Sequence, residues 1–310
     1  MNWAVETEGL CRDFGARRAL DRVSLSVPEG EMFGLLGPNG SGKTTLFRIL
    51  STLLSPTSGA ARVAGYDAGR EAVRVRERIG VVFQSPALDP QLTVAENLRC
   101  AGNLYGLGGA DLEQRLQAAA GALEVRDRLA DIVQTLSGGL RRRVEIAKCL
   151  LPRPRVLLLD EPSTGLDPSA RAGWRELLSR LRRETGVTIV MTTHLLDEAE
   201  ACDRVAVLHR GRLVAEGQPA ALRGKLGADV AVICGRDPRS IAERVRGEFG
   251  WSAQLRDGKV RVAVPADGDG AARLVAAMAG VAETVTVGRP TLEDVFLELT
   301  GENLRGGDGE

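Results

Sequence analysis

Short apolar runs alternate with longer segments of helical periodicity over about the first 222 residues of the chain. Residues 156–159 and 188–191 are the clearest runs, and continuous aliphatic runs of this length are typical of strands buried on both faces of a sheet. Residues 31–36 predict another strand, and the pattern over residues 43–54 predicts the helix that follows it. The alternation predicts a layered α/β domain over residues 1–222.

A second pattern begins after the glycine-containing residues 223–227. Strands are predicted at residues 230–234, 252–255, 259–264 and 283–287, and helices at residues 240–249, 271–279 and 291–299. The order βαββαβ predicts a small α+β domain of the ferredoxin-like type over residues 223–302, with one added helix. Residues 303–310 are polar and rich in glycine, so we expect a flexible tail there.

Composition narrows the class of protein. The 310 residues include 41 basic and 41 acidic ones, so no overall charge attracts the chain to nucleic acid, and we expect no nucleic-acid partner. The five cysteines are widely spread without a C-x-x-C pair, which argues against a disulfide framework or a zinc site and favours a reducing cytoplasm. No secretory signal pattern precedes residue 10, and the apolar runs fall far short of the ~20 residues that span a bilayer. We therefore expect the chain to reach a membrane only through a partner.

A glycine-rich segment between the first predicted strand and helix matches the pattern G-x-x-x-x-G-K-[ST]. Its residues are Gly37, Pro38, Asn39, Gly40, Ser41, Gly42, Lys43, Thr44 and Thr45. Backbone N–H groups in such a loop surround a phosphate at the positive end of the helix. Lys43 is expected to reach the β- and γ-phosphates, and the Thr44 hydroxyl to bind Mg²⁺. The competing dinucleotide fingerprint requires G-x-G-x-x-G at this position, which the chain lacks.

Two adjacent carboxylates, Asp160 and Glu161, follow the buried run at residues 156–159. The carboxyl end of a strand in an α/β sheet faces the crevice in which ligands bind. Asp160 suits Mg²⁺, directly or through water, because Mg²⁺ prefers a few carboxylates together with phosphates. Glu161 is then placed to act as the general base for an attacking water molecule.

The segment Leu136-Ser137-Gly138-Gly139, followed by a predicted helix, resembles the signature motif of the ABC ATPase family. A serine hydroxyl and two glycine amides at a helix N-terminus form an anion site. Leu140 stands where the family usually has glutamine. The phosphate-facing atoms come from Ser137, Gly138 and Gly139, so only contacts of that side chain are expected to differ.

Four further residues match family elements in the expected order. The resemblance implies that Gln84 senses Mg²⁺ and the γ-phosphate, and that His194 contacts the γ-phosphate and positions water. It also implies that the segment ending at Asp167 crosses between two ATPase subunits, and that Phe14 stacks on adenine. Trp3 is the alternative for adenine, and core packing remains open for both rings.

The resemblance implies an α/β P-loop ABC ATPase that binds ATP and Mg²⁺ as a homodimer, with each nucleotide between the two copies. It further implies a separate transmembrane permease, contacted by residues 85–98 at the cytoplasmic face of the membrane. Residues 288–301 resemble the daunorubicin/doxorubicin-resistance type of drug-export ATPase, although plain packing of this helix in the small domain remains open. Two other functions are also compatible with this resemblance: an ABC ATPase that acts on ribosomes or DNA, and a regulator that binds ATP without hydrolysing it. A single set of motifs without a basic surface disfavours the first, and Glu161 with His194 disfavours the second.

Overall fold

The computed structural model describes residues 2–166, 168–265, 268–302 and 304. Two compact units divide these residues: an N-terminal unit that ends at Gln218 and a C-terminal unit that begins at Pro219. Each contains its own sheets and helices. Within the described part of the chain, no helix is long and apolar enough to cross a membrane.

The N-terminal unit contains ten strands and seven α-helices among the described residues. In chain order these are β1 (Trp3–Phe14), β2 (Arg17–Pro28), β3 (Met32–Leu36), α1 (Lys43–Leu50), β4 (Ser58–Val63), β5 (Tyr66–Asp67), α2 (Ala72–Arg76), β6 (Ile79–Val82), α3 (Val94–Leu104), α4 (Gly109–Ala122), α5 (Gly138–Leu150), β7 (Val156–Asp160), α6 (Pro168–Thr185), β8 (Thr188–Thr193), α7 (Leu196–Glu200), β9 (Arg204–His209) and β10 (Arg212–Gly217).

A six-stranded sheet with the order β10-β9-β3-β8-β7-β6 forms the centre of this unit. All neighbouring strands pair in parallel except β10, which pairs antiparallel with β9. The register places Leu36 beside Thr193 and Asp160 beside Thr192. Consequently the carboxyl ends of β3, β7 and β8 meet at one edge of the sheet. This confirms the predicted α/β class.

A second, antiparallel sheet with the order β2-β1-β4-β5 shares a hydrophobic core with α1 and the central sheet. Phe47 of α1 lies in this core with Leu20 and Leu158, and all three are fully buried. The core fixes α1, and therefore the loop that precedes it, against two sheets. Helix α1 ends at Leu50, before the predicted residue 54, because Thr52 takes a left-handed φ of 63° that breaks the helix.

The C-terminal unit has the predicted βαββαβ order, flanked by one helix on each side. Its elements are α8 (Pro219–Gly224), β11 (Ala228–Cys234), α9 (Pro238–Phe249), β12 (Ala253–Arg256), β13 (Lys259–Pro265), α10 (Gly270–Ala277), β14 (Thr284–Gly288) and α11 (Leu292–Thr300). The antiparallel order β12-β13-β11-β14 is that of a ferredoxin-like sheet. Residues on both helices α9 and α10 close a core around Ile233 and Val262.

Helix α11 packs inside the C-terminal unit. Thr291 and Asp294 form a capping box at its start, and Phe296 is fully buried. Arg261 of β13 donates a hydrogen bond of 2.6 Å to Asp294. The apolar positions of the predicted helix therefore serve packing within the unit, while Leu299 remains 48% exposed.

Ile233, a fully buried residue of β11, is expected to be essential to the C-terminal core. Ile233→Ala removes buried methyl groups and leaves a cavity, which costs about 2–5 kcal/mol. Amide hydrogen exchange should accelerate in β11 and β13 by at least ~30-fold. Thr286→Ala, at an exposed position of the neighbouring β14, is the control and should leave these rates nearly unchanged. Equal protection in both variants would contradict the assigned core.

Candidate functional site

The glycine-rich loop lies where β3 ends and α1 begins, and two of its glycines are required by close backbone approaches. A Cβ on Gly37 would lie 2.3 Å from the Leu208 carbonyl oxygen, and one on Gly42 would lie 2.8 Å from that of Ala19. Gly42 also has a φ of 109°, which is accessible to glycine but not to other residues without strain. The loop is therefore held tightly against β2 and β9, with its backbone turned around the start of α1.

Lys43 carries the positive charge at the centre of this loop. Its Nζ donates hydrogen bonds of 2.6 Å to the Gly37 carbonyl and 3.0 Å to the Pro38 carbonyl. Burial lowers the pKa of Lys43, and the nearby carboxylates of Glu161 and Asp160 oppose that shift. The buried Ser41 Oγ has no hydrogen-bond partner among the described residues. An ammonium group, a free hydroxyl and a helix N-terminus together fit a phosphate group.

A cavity of about 220 Å³ opens over the loop. Its lining residues are Phe14, Arg17, Ala19, Asn39, Gly40, Gly42, Lys43, Thr44, Thr45 and Glu161. Phe14 is 45% exposed, so its ring is available for stacking, and the Arg12 guanidinium lies 4.6 Å from the ring centroid. Trp3, the alternative aromatic residue, is not among the lining residues. The cavity brings together an aromatic ring, the phosphate loop and a carboxylate.

The carboxylate pair is organised by Thr192, which lies beside Asp160 on β8. The Thr192 hydroxyl donates a 2.6 Å hydrogen bond to Asp160 Oδ1 and accepts one of 2.9 Å from the Glu161 backbone N–H. Asp160 is buried, which raises the pKa of its carboxyl group. The hydroxyl thus fixes the Asp160 carboxylate and, through the backbone N–H, the position of Glu161.

Glu161 adopts a left-handed backbone conformation with a φ of 44°, which is uncommon for a residue other than glycine. Its Oε2 accepts a 3.2 Å hydrogen bond from the Thr164 hydroxyl. Its Oε1 lies 3.2 Å from His194 Nδ1, without the alignment of a hydrogen bond. The Glu161 side chain therefore lines the cavity and lies beside His194.

The predicted signature residues lie outside this cavity. Ser137 caps helix α5, and its hydroxyl accepts a 3.3 Å hydrogen bond from the Leu140 N–H. Ser137 and Gly138 are exposed, whereas Gly139 and Leu140 are half-buried. Gln84, just beyond β6, is exposed and is not among the cavity residues either. Asp167 lies outside the described residues.

Three residues of this region were not assigned a role from the sequence, and Arg142 was expected to lie on a solvated helix face together with Arg141 and Arg143. Thr192 follows the apolar run at residues 188–191. A hydroxyl residue at the end of a buried strand is the sequence signal that could have identified it. Arg17 lines the cavity from the start of β2, three residues after Phe14. Arg142 is one of three consecutive arginines on α5, and its burial distinguishes it from Arg141, which is exposed.

A phosphate loop, a buried strand ending in two carboxylates and a nearby histidine define a P-loop nucleoside triphosphatase. The chain belongs to the ABC transporter family, as an ATP-binding subunit with ATPase activity. The family profile described as "ABC transporter" matches residues 20–164. A second profile, "AAA domain, putative AbiEii toxin, Type IV TA system", matches residues 135–197.

Relatives of this chain match it over nearly its full length. It is 39% identical to the daunorubicin/doxorubicin resistance ATP-binding protein DrrA of Streptomyces peucetius, over 96% of this chain and 92% of that protein. It is 36% identical to the Nod factor export ATP-binding protein I of Rhizobium meliloti, over 97% and 89% respectively. The similarity to a drug-resistance ATPase, inferred from residues 288–301, is thus supported across both units.

Solved structures with the same fold include cbiO1 from Clostridium perfringens, which is part of an ABC transporter complex. Its TM-score is 0.68 and its sequence identity 27%, and the alignment covers 81% of this chain and 97% of cbiO1. A dimeric ATP-binding cassette bound to ADP and Pi has a TM-score of 0.62 and 30% identity, over 69% and 98% respectively. Both likenesses confirm the predicted fold of the N-terminal unit.

Arg17 is expected to contribute to nucleotide affinity. Its guanidinium lies beside Gly40 of the phosphate loop and lines the cavity. The Arg17 side chain makes no hydrogen bond or ion pair with another described residue. Arg17→Gln should weaken ATP binding about 10-fold to 100-fold, the usual effect of losing a hydrogen bond to a charged group. Titration with a fluorescent ATP analogue measures the change.

Arg22→Gln is the matched control for Arg17→Gln. Arg22 lies on the same strand, is highly exposed and pairs with Asp21 outside the cavity. This variant should bind ATP as the unaltered chain does. Equal affinity in the Arg17 and Arg22 variants would exclude a role for Arg17.

Proposed function

We propose that this chain hydrolyses Mg²⁺-ATP to drive a separate membrane permease that exports a drug-like or similarly amphipathic compound. The observation that carries the proposal is the common cavity, in which Glu161 at the end of β7 faces Lys43 and Thr44 of the phosphate loop. A base, a phosphate site and a potential cation ligand lie together there. Such a constellation suits attack by water on a terminal phosphate.

Each predicted residue has a role in this proposal. Lys43, Ser41 and the loop N–H groups bind the phosphates, and Phe14 stacks on adenine. Thr44, Asp160 and Gln84 are the candidate Mg²⁺ ligands, and the bound cation would neutralise phosphate charge. The donor set is all oxygen, as Mg²⁺ prefers, and Asp160 must be ionised to take part. Burial raises the pKa of the Asp160 carboxyl group. As the pH falls, Asp160 is therefore expected to become protonated and to release Mg²⁺ at a higher pH than an ordinary aspartate would.

Glu161 then orients and deprotonates the attacking water, and His194 stabilises that arrangement. The 3.2 Å separation between Glu161 Oε1 and His194 Nδ1 supports joint action. The Thr192 hydroxyl keeps the Glu161 backbone in place through its hydrogen bond to the N–H. Precise placement of a base matters because proton transfer requires hydrogen-bond reach.

The exposed signature is best explained by a second copy of the chain. Ser137, Gly138 and Gly139 form an anion site at the N-terminus of α5, yet they do not line the cavity of their own chain. In a two-fold symmetric dimer, each signature could face the partner's phosphate loop. Asp167, for which the family resemblance implies a role between the two subunits, lies outside the described residues. The similarity to a dimeric cassette bound to ADP and Pi supports this arrangement.

The similarity to resistance and export proteins supports the transport role. DrrA is named as a daunorubicin/doxorubicin resistance ATP-binding protein, and the relative from Rhizobium meliloti is named as a Nod factor export ATP-binding protein. We propose that the chain works at the cytoplasmic face of the membrane, attached through the permease at residues 85–98. The domain over residues 223–302 serves an accessory role, and the balanced net charge argues against a nucleic-acid partner. Of residues 303–310, for which a tail was predicted, only Leu304 is among the described residues.

Glu161→Gln is expected to preserve ATP binding while slowing hydrolysis by about 10²–10⁴-fold, because the amide cannot accept the proton from water. Nucleotide affinity and steady-state ATPase activity are to be measured on the same preparation. Glu243→Gln, at an exposed position on α9, is the control. Near-normal turnover in Glu161→Gln would refute the assignment of the base.

Mixing two inactive variants tests the shared site. Lys43→Ala damages the phosphate loop, and Ser137→Arg damages the signature, so each homodimer has two defective sites. A heterodimer has one intact site and one doubly damaged site. An equal mixture should recover up to about a quarter of the unaltered ATPase rate, since half of the dimers are mixed and each has one intact site.

The dimer itself can be checked by sedimentation in the Glu161→Gln background, in which bound ATP persists. Addition of ATP should convert monomer to dimer, and removal of Mg²⁺ should weaken the conversion. A chain that stays monomeric with ATP, even with its permease supplied, would show that the shared site is wrong.

A further inference from the structure

Arg142, on helix α5, is a buried arginine whose guanidinium joins two separate loops. It is 8% exposed. Its Nη1 donates a 2.5 Å hydrogen bond to the Phe83 carbonyl, immediately before Gln84. Its Nε donates one of 3.1 Å to the Pro162 carbonyl, immediately after Glu161, and its Nη2 lies 3.5 Å from the Glu161 carbonyl oxygen. One side chain therefore holds the backbone of the loop that contains Gln84 and of the loop that contains Glu161.

Glu145, one turn later on α5, extends this link to a third point. It is 4% exposed, and its Oε2 accepts a 2.8 Å hydrogen bond from Arg142 Nη1. Its Oε1 accepts a 2.8 Å hydrogen bond from the Ala87 N–H. Lys148, a further turn along, donates a 2.7 Å hydrogen bond to the Ala87 carbonyl. Both backbone polar groups of Ala87 are thus held by side chains of α5.

Stability alone is a weak explanation for this arrangement. A buried ion pair loses much of its Coulomb attraction to desolvation, and an apolar pair of similar volume is often equally stable. The directed donors are better explained by geometry, because a planar guanidinium presents five N–H groups in fixed directions. Here those directions select carbonyl groups that flank Gln84 and Glu161.

We propose that Arg142 and Glu145 form a positioning pair that couples the segment around Ala87 to the placement of Glu161. The proposal rests on the function argued above, in which Glu161 is the base and residues 85–98 contact the permease. A shift of Ala87 moves Glu145, and the ion pair carries the movement to Arg142. Arg142 then shifts the carbonyls around Glu161, whose φ of 44° leaves little freedom to absorb the change.

The first test compares turnover with nucleotide affinity. Glu145→Gln keeps the size and the acceptor for Ala87 but removes the charge, and Arg142→Lys keeps the charge but loses the planar fork. Each should lower kcat roughly 10-fold to 100-fold, as small misplacements of a catalytic group do, while ATP and ADP affinity change less than about 2-fold. Arg143→Gln is the control, since Arg143 lies next on the helix and pairs with Glu124.

A second test separates positioning from a general structural role. In the Glu161→Gln background there is no base to position, so adding Glu145→Gln should not lower the residual rate further. Ala87→Pro removes the N–H that donates a hydrogen bond to Glu145. In the otherwise unaltered chain it should reproduce the loss of kcat. All variants are compared for cooperative thermal unfolding, and Glu145→Gln, the mildest change, serves if Arg142→Lys does not fold.

The outcomes distinguish the possible failures. Equal fractional loss of kcat in the presence and absence of Glu161, or parallel loss of nucleotide affinity, would overturn the positioning role. Unchanged kcat in Glu145→Gln and Ala87→Pro would overturn the coupling. Normal turnover of Glu161→Gln alone would instead refute the proposed base, and would be recognised before the double variant is made.

Discussion

The parallel pairing of β3, β8 and β7 is the constraint on which the site depends. Its register brings the phosphate loop after Leu36, the carboxylate pair after Leu159 and the histidine after Thr193 to the same edge of one sheet. Parallel strands buried between helices have little freedom to slip. A one-residue slip would move every side chain to the opposite face of the sheet and so disrupt the packing on both faces. The distances among these groups are therefore set by the backbone hydrogen bonds of the sheet rather than by the loops.

Sequence patterns predicted this arrangement to the extent that the chemistry is local. The phosphate loop is contiguous, so its spacing alone specifies it, and the position of Asp160 at the end of an apolar run was sufficient to place a carboxylate at the ligand edge. The ferredoxin-like order also followed from alternating segments, with element ends differing by one or two residues. The roles assigned to the site residues, Glu161, Gln84 and His194 among them, stay predictions.

Contacts between distant parts of the chain were beyond reach from the sequence. Thr192 bonds to Asp160 across 32 positions, and Arg142 reaches Phe83 across 59. No local spacing encodes such pairs, because they arise only when the sheet and α5 are packed together. The left-handed backbone of Glu161 was hidden for the same reason: glutamate gives no local signal for it, and the conformation is imposed by the Thr192 hydroxyl and the adjoining turn.

That backbone conformation sets stability and activity against each other at one position. A side chain other than glycine, asparagine or aspartate is disfavoured in the left-handed region by about 1–2 kcal/mol. Replacement of Glu161 by glycine would relieve that cost and would also remove the carboxylate that we propose as the general base. If the proposed role holds, selection for thermal tolerance alone would favour glycine at this residue, and glutamate would persist only where turnover is under selection.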